Sequence, residues 1–124
     1  MRVETRELRE AGLESARAGE GRSREGAAIL ERLPTDAYIC ALDREGEPLS
    51  SEGLAATVEQ RRRDGRDLWL VIGGPFGLDG AVLERADRRL SLGELTLPHQ
   101  LARVVLLEQL FRAHKIIARE PYHY

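Results

Sequence analysis

The sequence predicts an α/β protein with a parallel sheet at its centre. Three observations carry that expectation. Two near-continuous apolar runs, Ala37 to Leu42 and Leu68 to Ile72, read as strands covered on both faces. Segments with helical periodicity alternate with them. The second run passes straight into a glycine turn, Gly73-Gly74-Pro75-Phe76-Gly77. Open α/β sheets hold ligands in such strand-end loops.

The elements follow in order. Residues 2–8 alternate weakly, with Val3, Thr5 and Leu8 as candidate buried members, and predict a short strand. Ala18 to Gly26 is rich in glycine and charge and predicts a mobile loop. Ser23 with Gly26 to Leu33 predicts a helix whose apolar face holds Ala27, Ile29, Leu30 and Leu33. Pro34-Thr35-Asp36 ends it. Ala37 to Leu42 is the first clear strand, and Asp43 to Pro48 a polar turn. Ser50-Ser51-Glu52 opens a helix with Leu54, Ala55 and Val58 facing inward, which stops near Gly65. Leu68 to Ile72 is the second clear strand. Asp79 begins a short helix through Val82, Leu83 and Ala86, and Leu90 to Leu92 is a brief strand. Pro98 suits the first turn of the longest helix, which runs to about Ala118.

Composition bounds the function. The chain has 124 residues, which fits one domain spanning 1–124. Apolar residues make up 42% and charged residues 32%, enough for a core under a solvated surface. No apolar run approaches a membrane span. Arg2, Glu4, Arg6 and Glu7 interrupt any signal-peptide pattern. Cys40 is the single cysteine, so neither an internal disulfide nor a cysteine metal cluster can form. Together these predict a cytoplasmic protein without a metal. Proteins that grip bare nucleic acid are usually basic. The net charge here is −2, so an RNA partner must be reached by local geometry or with help.

The last helix has an unusual surface. Leu101, Ala102, Val104, Val105, Leu106, Leu107, Leu110, Phe111 and Ala113 cover most of its circumference. A helix apolar all round is buried on more than one side. Two arrangements satisfy this: a helix central to the monomer core, or a helix shared with a second subunit. In so small a chain the homodimer is the favoured expectation.

Several stretches in order carry a resemblance: Glu25-Gly26-Ala27-Ala28-Ile29-Leu30, Asp36 to Leu42, and Ile72-Gly73-Gly74-Pro75-Phe76-Gly77-Leu78. Leu90-Ser91-Leu92, Leu95-Thr96-Leu97-Pro98-His99-Gln100-Leu101, Glu108 to Ala113, and Pro121-Tyr122-His123 continue it. Together they resemble the RlmH family, bacterial pseudouridine N3-methyltransferases of 23S ribosomal RNA in the SPOUT class. The glycine loop and the Leu-Thr-Leu-Pro-His segment are specific together, and either alone would be weak. The resemblance implies a SPOUT-type parallel sheet with a C-terminal trefoil knot, a homodimer, and S-adenosylmethionine as methyl donor. Knots are rare exceptions to the usual rules of chain connection, and composition could not have revealed one.

The resemblance also implies the site. Leu42, Gly74, Leu92, Gly93, Glu94, Leu95, Thr96 and Leu97 would form the cofactor pocket, with apolar side chains flanking an adenine while backbone groups read its edge. His123 is the candidate group nearest the acceptor, as base or as positioning residue, with Tyr122 and Arg112 placing the base or phosphate. The implied partners are 23S rRNA within the ribosome and a second copy of the chain. Three departures stand out. Family members usually carry a strand and helix ahead of the segment 2–8, so the sheet is expected to be shortened at its N-terminal side with an exposed edge. Tyr124 stands where the family tail has a basic residue, and Gly93 where a serine is common.

Other readings stay open. The shortened start also fits an inactive dimer that binds cofactor or ribosome without turnover. Another SPOUT methyltransferase, acting on transfer RNA, agrees less well with Pro121-Tyr122-His123. Glu108 and Arg112 are either a site pair or only a helix ion pair. His99 either caps the last helix or touches the cofactor, and His114 reads as surface. Arg61, Arg62, Arg63 and Arg66 suit a helix C-terminus or a ribosome contact. Trp69 and Cys40 read as core.

Overall fold

The computed structural model describes residues 2–8, 18–74 and 77–124. Three strands and four helices alternate along it: α1 (Ala18–Arg32), β1 (Tyr38–Pro48), α2 (Ser51–Asp64), β2 (Leu68–Val71), α3 (Gly80–Arg85), β3 (Arg88–Ser91) and α4 (His99–Ala118). The strands form one parallel sheet in the order β2-β1-β3. In register, Tyr38 to Ala41 pair with Leu68 to Val71 on one side, and Cys40 to Leu42 pair with Arg88 to Leu90 on the other.

Helices cover both faces. On one face Ala37, Ile39, Val71 and Val82 are buried, with Ile29 and Leu30 of α1 and the following Leu33 packed on them. On the other, Leu54 and Ala55 of α2 meet Ala113 of α4, with Leu110, Ile116 and Ile117 around them. Ile39 and Leu54 are fully buried, each contributing about 1.5–3 kcal/mol. Asp87 ties β3 to β1: its carboxylate accepts from the Ile39 N–H at 2.8 Å, and its own N–H donates to the Ile39 carbonyl at 2.8 Å. Cys40 is fully buried, and burial pushes its thiol up to about 11. Trp69 is half-buried against the first cluster, with Arg6 over its ring.

Helix boundaries follow local chemistry. Ser50 caps α2, accepting from the Gly53 N–H, and Gly65 closes it with φ 70°. Asp79 caps α3 by accepting from the Ala81 N–H. Pro98 precedes α4 with no side-chain capping bond. His99 is the first residue of the helix, with Pro98 at the capping position.

Several expectations need correction. Residues 2–8 join no strand; Val3 is 47% exposed, Thr5 is exposed and Leu8 only half-buried. Weak alternation without a paired neighbour does not secure a strand. Ala18 to Gly26 is helix, not loop, because Ile29, Leu30 and Leu33 anchor the next turns on the core. Ala27 is exposed, and Gly26 takes the buried position against Asp79, where an added Cβ would come within 2.8 Å. Asp43 to Pro48 continues β1 through a register shift, so that both Leu42 and Glu47 pair with Leu90. The third strand starts at Arg88, not Leu90.

The last helix is also less enclosed than its composition suggests. Only Ala102, Leu106 and Ala113 are buried. Leu101, Val104, Leu107 and Phe111 form an exposed stripe, so α4 is not central to the core of one chain.

Candidate functional site

Two groups of candidate residues lie toward the carboxyl edge of the sheet. The first is a set of strand-end loops. Leu42 sits in register with Leu90, two residues short of Leu92, and Gly74 lies three residues past the end of β2. The parallel order brings Leu42, Gly74 and the start of the 92–97 segment to the same edge of the sheet. The glycine turn is shaped by backbone. The Gly77 N–H donates to the Gly74 carbonyl at 3.0 Å, and Gly77 has φ 80°. A Cβ on Gly73 would lie 2.7 Å from the Gly77 carbonyl carbon, so only glycine fits this approach. A Cβ on Gly74 would meet the Glu25 carboxylate at 3.0 Å. Pro75 and Phe76 lie outside the described residues.

In the second loop Gly93 has φ 121°, a conformation that disfavours the serine common in the resembling family. The buried Ser91 hydroxyl closes this turn, accepting from the Gly93 N–H at 3.1 Å and donating to its carbonyl at 3.2 Å. Leu92 and Leu97 are half-buried, while Glu94, Leu95 and Thr96 are exposed.

The second group is the C-terminal tail. Arg119 adopts a left-handed φ of 57° at the end of α4 and turns the chain back along the helix. Tyr122 thereby reaches Glu108, its hydroxyl donating to Oε2 at 3.0 Å. Arg112 pairs with the same carboxylate at 3.0 Å and lies over the Tyr122 ring at 4.9 Å. Phe111 meets that ring edge-on at 4.8 Å. His123 bridges two helices: Nδ1 lies 3.1 Å from Arg112 Nη1, and Nε2 lies 2.8 Å from Glu52 Oε1. Glu52 stands in the first turn of α2, just after β1 ends, where Ser51 also donates to Gln109 of α4 at 2.5 Å.

The electrostatics follow from these pairs. The Arg112 bond holds Glu108 below the ordinary carboxylate range, and the Glu108 bond raises both Arg112 and Tyr122. The bond to His123 lowers Glu52.

The structure thus brings Arg112, Tyr122 and His123 together, as the sequence suggested. Glu52 was missed: it was visible as a first-turn residue of α2, but nothing local links it to a tail 71 residues away. Glu25, beside Gly74, was missed as well. The arginine cluster is engaged within the fold. Arg62 and Arg63 pair with Glu59, Arg61 with Asp64, and Arg66 donates to the carbonyls of Asp36 and Ala37. His114 is exposed. A groove of about 870 Å³ runs along edge strand β2, between residues 2–8, α1 and the start of α4, and opens onto the glycine turn at Gly73 and Gly74 and onto His99.

Against this geometry, the profile of a family described as "Predicted SPOUT methyltransferase" matches residues 1–123. The chain belongs to the SPOUT methyltransferase family. Its relatives include proteins named ribosomal RNA large subunit methyltransferase H. That of Rubrobacter xylanophilus is 51% identical over 125 aligned positions, covering 98% of this chain and 79% of the relative. That of Xanthomonas oryzae pv. oryzae is 48% identical over 116, covering 94% and 72%. That of Listeria monocytogenes is 46% identical over 112, covering 90% and 70%. This SPOUT methyltransferase has, among its described residues, no helix long and apolar enough to cross a membrane.

Proposed function

We propose that the chain methylates N3 of a pseudouridine in 23S ribosomal RNA, using S-adenosylmethionine, on the assembled ribosome in the cytoplasm. The observation that carries this reading is the match to relatives named ribosomal RNA large subunit methyltransferase H over nearly the whole chain. The tail geometry supports it, because a cation and two aromatic side chains are gathered there in fixed order.

The loops fit the cofactor. Gly73 and Gly93 keep backbone close and free of side chains where a Cβ would clash or strain. Leu42, Gly74 and Leu92 to Leu97, with Gly93, Glu94, Leu95 and Thr96 between, would hold it through backbone groups and apolar flanks. When bound, S-adenosylmethionine supplies a methyl group on a positively charged sulfur. The acceptor is a ring N–H, a poor nucleophile until its proton leaves. Placement therefore carries much of the rate. Arg112 offers the cation for RNA phosphate or base oxygen, with Tyr122 stacked beneath it and His123 fixing its orientation.

The same reading takes α4 as the helix of a C-terminal trefoil knot and as the homodimer interface. The exposed stripe Leu101, Val104, Leu107 and Phe111 supports the second part. Light scattering should give a dimer mass, and Val104→Asp a monomer; a native monomer would remove the interface.

The test of function is transfer of labelled methyl from S-adenosylmethionine to ribosomes lacking their large-subunit pseudouridine methylation. Label mapped to that pseudouridine is the expected result. Label on transfer RNA, or none anywhere, would overturn the assignment.

A further inference from the structure

His123 is held through both ring nitrogens, and its neighbours allow only one arrangement of protons. A guanidinium can only donate. Nδ1, facing Arg112 Nη1 at 3.1 Å, must therefore present its lone pair. A carboxylate accepts, so Nε2, facing Glu52 Oε1 at 2.8 Å, must carry the proton. The ring is then neutral, in its Nε2–H tautomer. A doubly protonated ring would set two N–H groups against each other at Arg112. Other charged groups around the tail include Glu108, bound to Arg112 and Tyr122, the Lys115–Glu120 pair near the end of α4, and Arg119 at the turn.

We propose that Glu52 is a positioning residue for the tail: it selects the Nε2–H tautomer of His123, which turns Nδ1 into an acceptor that orients Arg112. The inference rests on the reading of this tail as the RNA side of the site. It assigns His123 a task other than proton removal, since the one lone pair of the neutral ring is already occupied by Arg112. Glu52 acts at the joint between α2 and the tail. Its side chain is 68% exposed, so its replacement leaves the core intact.

Side-chain nitrogen–proton correlation spectra of the full chain test this directly. There are three histidines, His99, His114 and His123, and loss of one signal set in His123→Asn assigns the third. The native protein at neutral pH should show the Nε2–H form for His123. Glu52→Ala removes the bond that keeps the ring turned toward Arg112, so the ring can swing off the guanidinium and should give a tautomer mixture. Glu52→Gln should keep the native form, because an amide oxygen still accepts.

Methyl transfer, measured in parallel, should fall about tenfold in kcat/KM for Glu52→Ala, as for other outer partners of functional histidines, and recover largely in Glu52→Gln. An unchanged His123 signal in Glu52→Ala would overturn the role of Glu52. A shifted tautomer with unchanged transfer would uphold Glu52 as the residue that sets it, and would overturn the placement of the tail beside RNA.

Discussion

Around His123, side chains from α2, α4 and the tail hold one another through bonds of 2.8 to 3.3 Å. Around Gly73 and Gly93 the loops are shaped by backbone turns, by the uncharged Ser91 hydroxyl and by the absence of Cβ atoms. The first region is set by charge, the second by steric room. A site built on charge answers to pH and to the loss of one partner. A site built on room answers to the addition of a single carbon.

The largest expected effect tests the charged region. Arg112→Ala removes the group shared by Glu108 and His123, and turnover should fall about a hundredfold, as when one preorganised donor is lost. Cofactor affinity, measured by calorimetry, should be unchanged; a parallel loss there would merge the two regions into one.

Next comes the steric region. Gly73→Ala pushes a Cβ against backbone that cannot rotate away, and should weaken cofactor binding by about 1–3 kcal/mol. Gly74→Ala meets only the end of the flexible Glu25 side chain and should cost less. Equal losses at both positions would show that room is not what the loop supplies.

Acid should loosen the tail before the fold. Glu52 and Glu108 have lowered folded-state values. Their contribution is present above the unfolded carboxylate value, near about 4.3, and is lost as pH falls through the lower folded values. Tyr122 works in the opposite sense. Its value is raised, so its bond to Glu108 is lost only as pH rises beyond the usual tyrosine value of about 10. Hydrogen-exchange protection at residues 119–124, taken relative to the unfolded chain at each pH, should therefore be highest across the middle of the range and fall at both ends.

The smallest effect is Leu95→Ala. Leu95 is 81% exposed, and stability should change by no more than about 0.5 kcal/mol. A larger drop in the melting midpoint would mean that the 92–97 loop is packed in solution.

What the sequence disclosed follows the range of the forces involved. Ser50, Asp79 and Gly65 mark their helix ends because a cap acts within a few residues. Ala37 to Leu42 and Leu68 to Ile72 were legible as strands because burial on both faces demands apolar residues throughout. Glu108 and Arg112 were legible as a pair from their spacing along one helix. Glu52 and His123 were not, because their pairing depends on the reversal at Arg119 and on where α2 docks against α4. The charges of Asp43, Arg44 and Glu45 resembled a turn, yet the register shift lets β1 run on to pair again with β3. Helix α1 begins earlier than its glycines suggested, because packing further along it outweighs weak local propensity.

The buried Cys40 has a practical consequence. Its thiol is out of solvent and, near 11, almost wholly un-ionised at neutral pH. The native chain is thus chemically silent toward thiol reagents, and a cysteine introduced elsewhere would be the only one to react. Tyr124→Cys, at a fully exposed terminus one residue beyond His123, would accept a spin label or fluorophore with no background. That makes position 124 an addressable antenna for testing whether the tail responds to added RNA.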